Sequence, residues 1–155
     1  AQFKKRVTIT ENYVHDWIAF PTVKGKSVFN RKKPSYKPRR GRAMAVWTLS
    51  VSSMKSQNIL EDVMRMQKKY ESLFTDFVYV FVNDLPEDVR NFAKEWNLDG
   101  RIIIGEDDFK GAFKYRQPPT VHFADRHGWL SWMAYDLDAT KLPKVEQYLD
   151  TLNVW

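Results

Sequence analysis

Residues 43–49, AMAVWTL, form an almost unbroken apolar run no longer than a strand, and a strand that is apolar on both faces has to be covered on both. That requirement puts the segment in the middle of a sheet with layers above and below it. The residues after it supply the layers. In SQNILEDVMRMQKKY, residues 56–70, Ile59, Leu60, Val63, Met64, Met66 and Tyr70 recur at near-helical spacing, so a long helix comes after the strand. FVYVFV, residues 77–82, repeats the buried-strand pattern. Asn83 or Asp84 is suited to cap a second helix with Pro86 in its first turn and Val89, Phe92, Ala93 and Trp96 as its inward stripe. RIIIG, residues 101–105, predicts a short third strand, and DDFKGAFKY, residues 107–115, a small helix whose leading carboxylates suit its positive end.

The pattern then changes. TVHFA (120–124) and WLSWMAY (129–135) are strand-like segments joined by DRHG, whose length and closing Gly128 predict a tight antiparallel hairpin. A last helix comes next, with Thr140 placed to cap it, Pro143 near its start and Val145, Tyr148, Leu149 and Leu152 as its buried face. Upstream, VTI (7–9), WIAF (17–20) and SVF (27–29) are short candidate strands packed on the same sheet. The order predicts an α/β fold. Right-handed strand–helix–strand units make a parallel half of the sheet, the terminal hairpin adds an antiparallel half, and helices flank the whole. Ten Phe, seven Tyr and six Trp in 155 residues suit one core. The expected layout is a single domain, 1–155, with an N-terminal extension at 1–42 and the main fold at 43–155.

Composition removes several functions. With no cysteine, the chain makes no disulfide, no thiolate metal site and no thiol chemistry. His15, His122 and His127 are scattered without ligand-type spacing, so no metal and no cofactor is predicted. No apolar run approaches the roughly eighteen residues of a membrane span. The start, AQFKKRVTITENY, lacks the apolar stretch of a signal peptide, and an Ala1–Gln2 start fits a processed end as well as an arbitrary boundary, so the compartment stays open.

The net charge of +6 is concentrated. Residues 31–42, RKKPSYKPRRGR, hold Arg31, Lys32, Lys33, Lys37, Arg39, Arg40 and Arg42 and no acid, and Pro34 and Pro38 keep the stretch out of a helix. It reads as an extended basic loop. Such a loop either contacts an acidic protein, anionic lipid or nucleic acid, or is merely solvated, since charge alone names no partner. Trp129, Trp132 and Trp155 are similarly open between outward-facing positions and core.

Two stretches carry a resemblance. AMAVWTLSVS runs into Ser53-Met54-Lys55-Ser56 and the long helix, and much later Pro119-Thr120 leads into VHFA and Asp125-Arg126-His127-Gly128. From about residue 16 onward the chain resembles the thioredoxin-like superfamily. Within it, the resemblance is to the TlpA and ResA type of extracytoplasmic thiol–disulfide oxidoreductase, with peroxiredoxins more distant. In that family a buried strand enters a Cys-x-x-Cys motif at the start of a long helix, and a later proline followed by threonine precedes a strand and an Asp-x-x-Gly turn. Here both motif cysteines are serine, and Ser52 stands where an aromatic residue is common. The resemblance implies a thioredoxin fold, an extracytoplasmic setting, and a cis bond between Pro118 and Pro119 facing the motif. It also implies a loop at Pro118, Pro119 and Thr120 whose backbone pairs with an extended protein or peptide substrate.

The motif's chemistry depends on sulfur. A cysteine at 53 would sit at a helix N-terminus, where unpaired N–H groups and the dipole favour thiolate, and Lys55 would add positive charge. A cysteine at 56, one turn on, would resolve the mixed disulfide. A serine hydroxyl is far less acidic and forms no such bond, so the chain as it stands is redox-inert. Ser53 is then either a helix cap or a nucleophile, and the second role needs a base that no Ser/His/Asp spacing suggests. Three readings stay open. The first is an oxidoreductase of this family whose cysteines were replaced by serine, and the second a natural module that lost them and serves in binding or assembly through the basic loop. The third is an anion- or nucleic-acid-binding domain on the same fold.

Overall fold

The computed structural model describes residues 9–10, 12–113 and 117–152. Its centre is the strand β5 (Ala43–Leu49), buried along its whole length. Alternation sorts its side chains: Ala45, Trp47 and Leu49 enter one apolar core, and Met44 and Val46 the other. The strands β6 (Thr75–Phe81) and β7 (Arg101–Gly105) run parallel to it in sequence, and β8 (Thr120–Ala124) and β9 (Leu130–Ala134) extend its other side antiparallel. The helices α1 (Met54–Glu71), α2 (Pro86–Trp96) and α4 (Leu142–Leu152) all contribute to the first core, while α3 (Asp107–Ala112) covers the second with Phe109. Fully buried Ile59, Leu60 and Val63 fix α1 to the sheet, each contributing about 2 kcal/mol.

The predicted mixed sheet with helices on both faces is therefore the observed one, but its margins differ from the expectation. The N-terminal segment supplies β1 (Ile9–Thr10), β2 (Tyr13–Val14), β3 (Val23–Ser27) and β4 (Ser35–Tyr36). The strand order is β1-β2-β9-β8-β5-β6-β7-β3-β4, so this segment borders the sheet at both edges. WIAF is no strand. Only Ala19 makes a bridge, to Trp129, and Trp17 stands 82% exposed against Trp129. SVF overlaps β3 at Ser27 alone, because the pairing with β7 runs through Gly25 and Lys26 instead. Residues 7 and 8 of VTI lie outside the described residues, as does Trp155; Trp132 is buried and Trp129 half-buried.

The basic loop also divides. Ser35 and Tyr36 form an edge strand on β3, and two of the seven cations pair with a buried carboxylate. Arg39 grips Asp76 with two bonds, Nε to Oδ2 at 2.7 Å and Nη2 to Oδ1 at 2.6 Å, and Arg42 Nε donates to the same carboxylate at 2.9 Å. The Asp76 side chain is only 3% exposed, and a carboxylate inside a sheet needs such partners. Arg39 and Arg42 thus each have a partner within the chain. α4 starts at Leu142, so Thr140 stands two residues before it, where its N–H and hydroxyl both donate to Asp138 in the preceding turn.

Candidate functional site

β5 and β6 end side by side, and the serine motif grows from that end. The Ser53 N–H donates to the Ser50 carbonyl at 3.1 Å, which closes a tight turn. Ser53 then takes extended backbone (φ −85°, ψ 115°) while its Oγ accepts from the Ser56 N–H at 3.1 Å. This is an N-cap: one hydroxyl answers an amide that the first helical turn leaves unpaired. Ser56 sits one turn further on, buried, and its Oγ accepts the Ser50 N–H at 3.2 Å.

Asp84, at the end of the neighbouring strand, completes the network. Its Oδ2 accepts the Val51 N–H at 2.9 Å and its Oδ1 the Ser50 hydroxyl at 3.1 Å, and Ser50 Oγ lies 3.1 Å from Ser52 Oγ. Burial pushes the Asp84 carboxyl above its ordinary range, against the hydrogen bonds from Val51 and Ser50 that pull it down. Because Asp84 turns towards the motif, it caps no helix. Leu85 occupies the N-cap of α2 without a side-chain bond, and Pro86 at the next position has no N–H to satisfy.

Across from the motif stands the loop before β8. The Pro118–Pro119 bond is cis, the Thr120 hydroxyl donates to the Gln117 carbonyl at 3.0 Å, and the Pro119 carbonyl accepts the Leu137 N–H at 2.9 Å. Ser53, Lys55 and Pro118 share the wall of a cleft of about 690 Å³, with Met54, Asn83 and Gln117 at its sides; Ser56, Pro119 and Thr120 are buried behind it. The Lys55 ammonium meets Asp136 Oδ1 at 2.9 Å, so the charge beside the motif has a counter-ion. Tandem proline alters what the loop can offer. Neither Pro118 nor Pro119 has an N–H, so the loop offers no backbone donor at either position, and the Pro119 carbonyl is taken by Leu137.

The nucleophile reading of Ser53 is not assembled. Among the described residues no carboxylate or imidazole hydrogen-bonds its Oγ. The buried His122 lies between Phe113 and Tyr135 on the other face, with burial lowering its imidazole to about 3. No group of three His, Asp or Glu side chains that could hold a metal forms among the described residues, and none of their helices is long and apolar enough to cross a membrane. Asp84 and Ser50 were not apparent as site residues from sequence. The signal available for Asp84 was its place at the carboxyl end of a predicted parallel strand, where sites in α/β sheets gather.

This sheet order, with a helix N-terminus facing a cis-proline loop, defines a class of fold. A thiol:disulfide interchange protein of the thioredoxin family from Chlorobium tepidum TLS superposes with a TM-score of 0.77 at 19% identity, covering 88% of this chain and 97% of its own. The thioredoxin domain of a thiol-disulfide oxidoreductase from Bacteroides vulgatus gives 0.70 at 12%, covering 84% and 95%. A secreted Mycobacterium tuberculosis disulfide oxidoreductase homologous to E. coli DsbE gives 0.69 at 10%, covering 83% and 95%. The chain thus has a thioredoxin-like fold. No protein-family profile and no curated protein sequence matches it.

Proposed function

We propose that this chain is the scaffold of a thiol–disulfide oxidoreductase of the TlpA and ResA type, redox-inert because serine stands at both motif positions, 53 and 56. One observation carries the reading. Residue 53 caps a long helix and adjoins the cleft that Pro118 walls from the other side, and residue 56 lies buried one turn beneath it. In this reading Lys55 supplies local positive charge, and Pro118 meets a protein or peptide substrate at the cleft while Pro119 and Thr120 behind it set the shape of the binding loop. Residues 43–155 form the core of one domain, with 1–42 as its extension. The test restores sulfur. Ser53→Cys with Ser56→Cys should reduce insulin disulfides and give the thiol at 53 a pKa below the usual value of about 8.5. An ordinary thiol pKa together with no insulin reduction overturns the proposal. Codons at 53 and 56 in the source gene then separate engineered replacement from natural loss.

A second reading, a natural binding or assembly module, draws on the serine network itself. Ser50, Ser53 and Ser56 all accept or donate a hydrogen bond within the motif, so the hydroxyls have structural uses of their own. Its contact would be the remaining basic residues, Arg31, Lys32, Lys33, Lys37 and Arg40. Binding to acidic peptides, anionic vesicles or DNA that weakens with salt supports it; absent or salt-insensitive binding removes it.

A further inference from the structure

At the end of the sheet opposite the serine motif, two separate segments bring cations to one cleft. Arg40 and Gly41 come from the basic segment, Arg126 and His127 from the turn between β8 and β9; with Asp125 and Leu152 they line a cavity of about 660 Å³. That size is in the range of small-ligand sites.

Arg40 is held out by a built turn. The Arg42 N–H donates to the Arg39 carbonyl at 2.9 Å, and Gly41 takes φ +78° in the third position, a conformation that suits glycine. Both shoulders of the turn, Arg39 and Arg42, are fastened to buried Asp76. The tip between them, Arg40, makes no ion pair among the described residues. On the facing wall, the Arg126 guanidinium lies over the Phe74 ring, 5.4 Å from its centroid, which restrains its plane. The carboxylate in the lining is engaged by the turn itself, since Asp125 Oδ1 accepts the N–H groups of His127 at 2.9 Å and Trp129 at 3.0 Å.

We propose that this cleft binds a small organic anion, its phosphate or carboxylate oxygens held between Arg40 and Arg126 and its apolar part against Leu152. A guanidinium presents paired donors to either oxyanion. A long polyanion fits the surface less well. Arg31, Lys32 and Lys33 precede β4, which β3, β7 and β6 separate from β5, a spacing of roughly 19 Å at about 4.8 Å per strand.

The experiment titrates the chain with inorganic phosphate in one arm and succinate in another, following backbone amides by two-dimensional NMR. Saturable shifts at Gly41, Arg126, His127 and Gly128, with residues 53–56 unmoved, are expected in at least one arm, and the arm that saturates identifies the oxyanion. Arg40→Gln and Arg126→Gln should each weaken that binding about tenfold, and an unchanged spectrum away from the cleft shows that the variants fold. The proposal is overturned by failure to saturate in both arms, or by saturable shifts that neither variant affects. In a third arm with heparin, shifts that appear there alone and spread over Arg31–Lys37 overturn it as well.

Discussion

Ser56 ties the start of α1 to the end of β5 through the bond its Oγ accepts from the Ser50 N–H. Both residues are buried, so Ser56→Ala would strand that amide and should lower unfolding stability by about 1–2 kcal/mol in chemical denaturation; no change would mean that another group takes over the amide. Asp84 makes the opposite kind of contribution. Burial raises its carboxyl in the folded state, so folding takes up a proton. Its stabilising share is complete below the ordinary carboxyl pKa of about 3.9 and is lost as pH rises through the folded-state value. Asp84→Asn should therefore flatten the fall of stability with pH in the weakly acidic range, measured by denaturation at a series of pH values. Identical slopes for parent and variant would remove Asp84 as its source. The cap at Ser53 was legible because a serine just before a helical pattern has few other uses, whereas the Asp84 bonds need the adjacency of β5 and β6, which no local pattern contains.

Elements with an apolar face to bury were the readable ones. β5 keeps the limits its apolar run gives it, the stripe of α4 is buried, and that of α1 is buried except at Met64, which is half-buried, with Ser56 and Gln67 joining it. Edge strands were not readable in the same way. β3 is VKGKS, mostly polar, and is a strand because its backbone pairs with β7 rather than because its side chains seek a core. Gly25 makes that pairing possible: a Cβ there would stand 2.3 Å from the Ile104 carbonyl oxygen. Since that atom is backbone, the clash is relieved only by moving β3 away. Gly25→Ala should accordingly lose protection of the Lys26 amide, which faces β7, in hydrogen exchange, while Ser27, bonded to Lys32, and β5 and β6 stay protected. Retained protection at Lys26 would show that the edge yields without parting.

At the scale of the whole molecule, Asp76 joins parts that the sequence keeps far apart. It sits inside β6, receives Arg39 and Arg42 from the segment leading into β5, and has Arg101 of β7 3.8 Å away. A lone acid beside a buried-strand run signals that cations must come to it, but the sequence does not say which, and the seven clustered charges at 31–42 look uniform until the fold selects two. Burial would raise the Asp76 carboxyl; the bonds from Arg39 and Arg42, with the charges of Arg42 and Arg101, outweigh it and hold the group below its ordinary range. Its stabilisation is then present above about pH 4 and lost as pH falls through the folded-state value. Asp76→Ala removes one partner of a buried cluster and should cost about 3 kcal/mol at pH 7. The gap between parent and variant should narrow as the parent carboxylate is protonated in acid. Urea denaturation at neutral and acidic pH separates the two components: a gap that stays constant assigns the loss to packing, and one that closes assigns it to charge. Because the same carboxylate anchors the turn that holds out Arg40, a gap that closes in acid also predicts that exchange of the Arg42 amide, which closes that turn, quickens in the variant at pH 7.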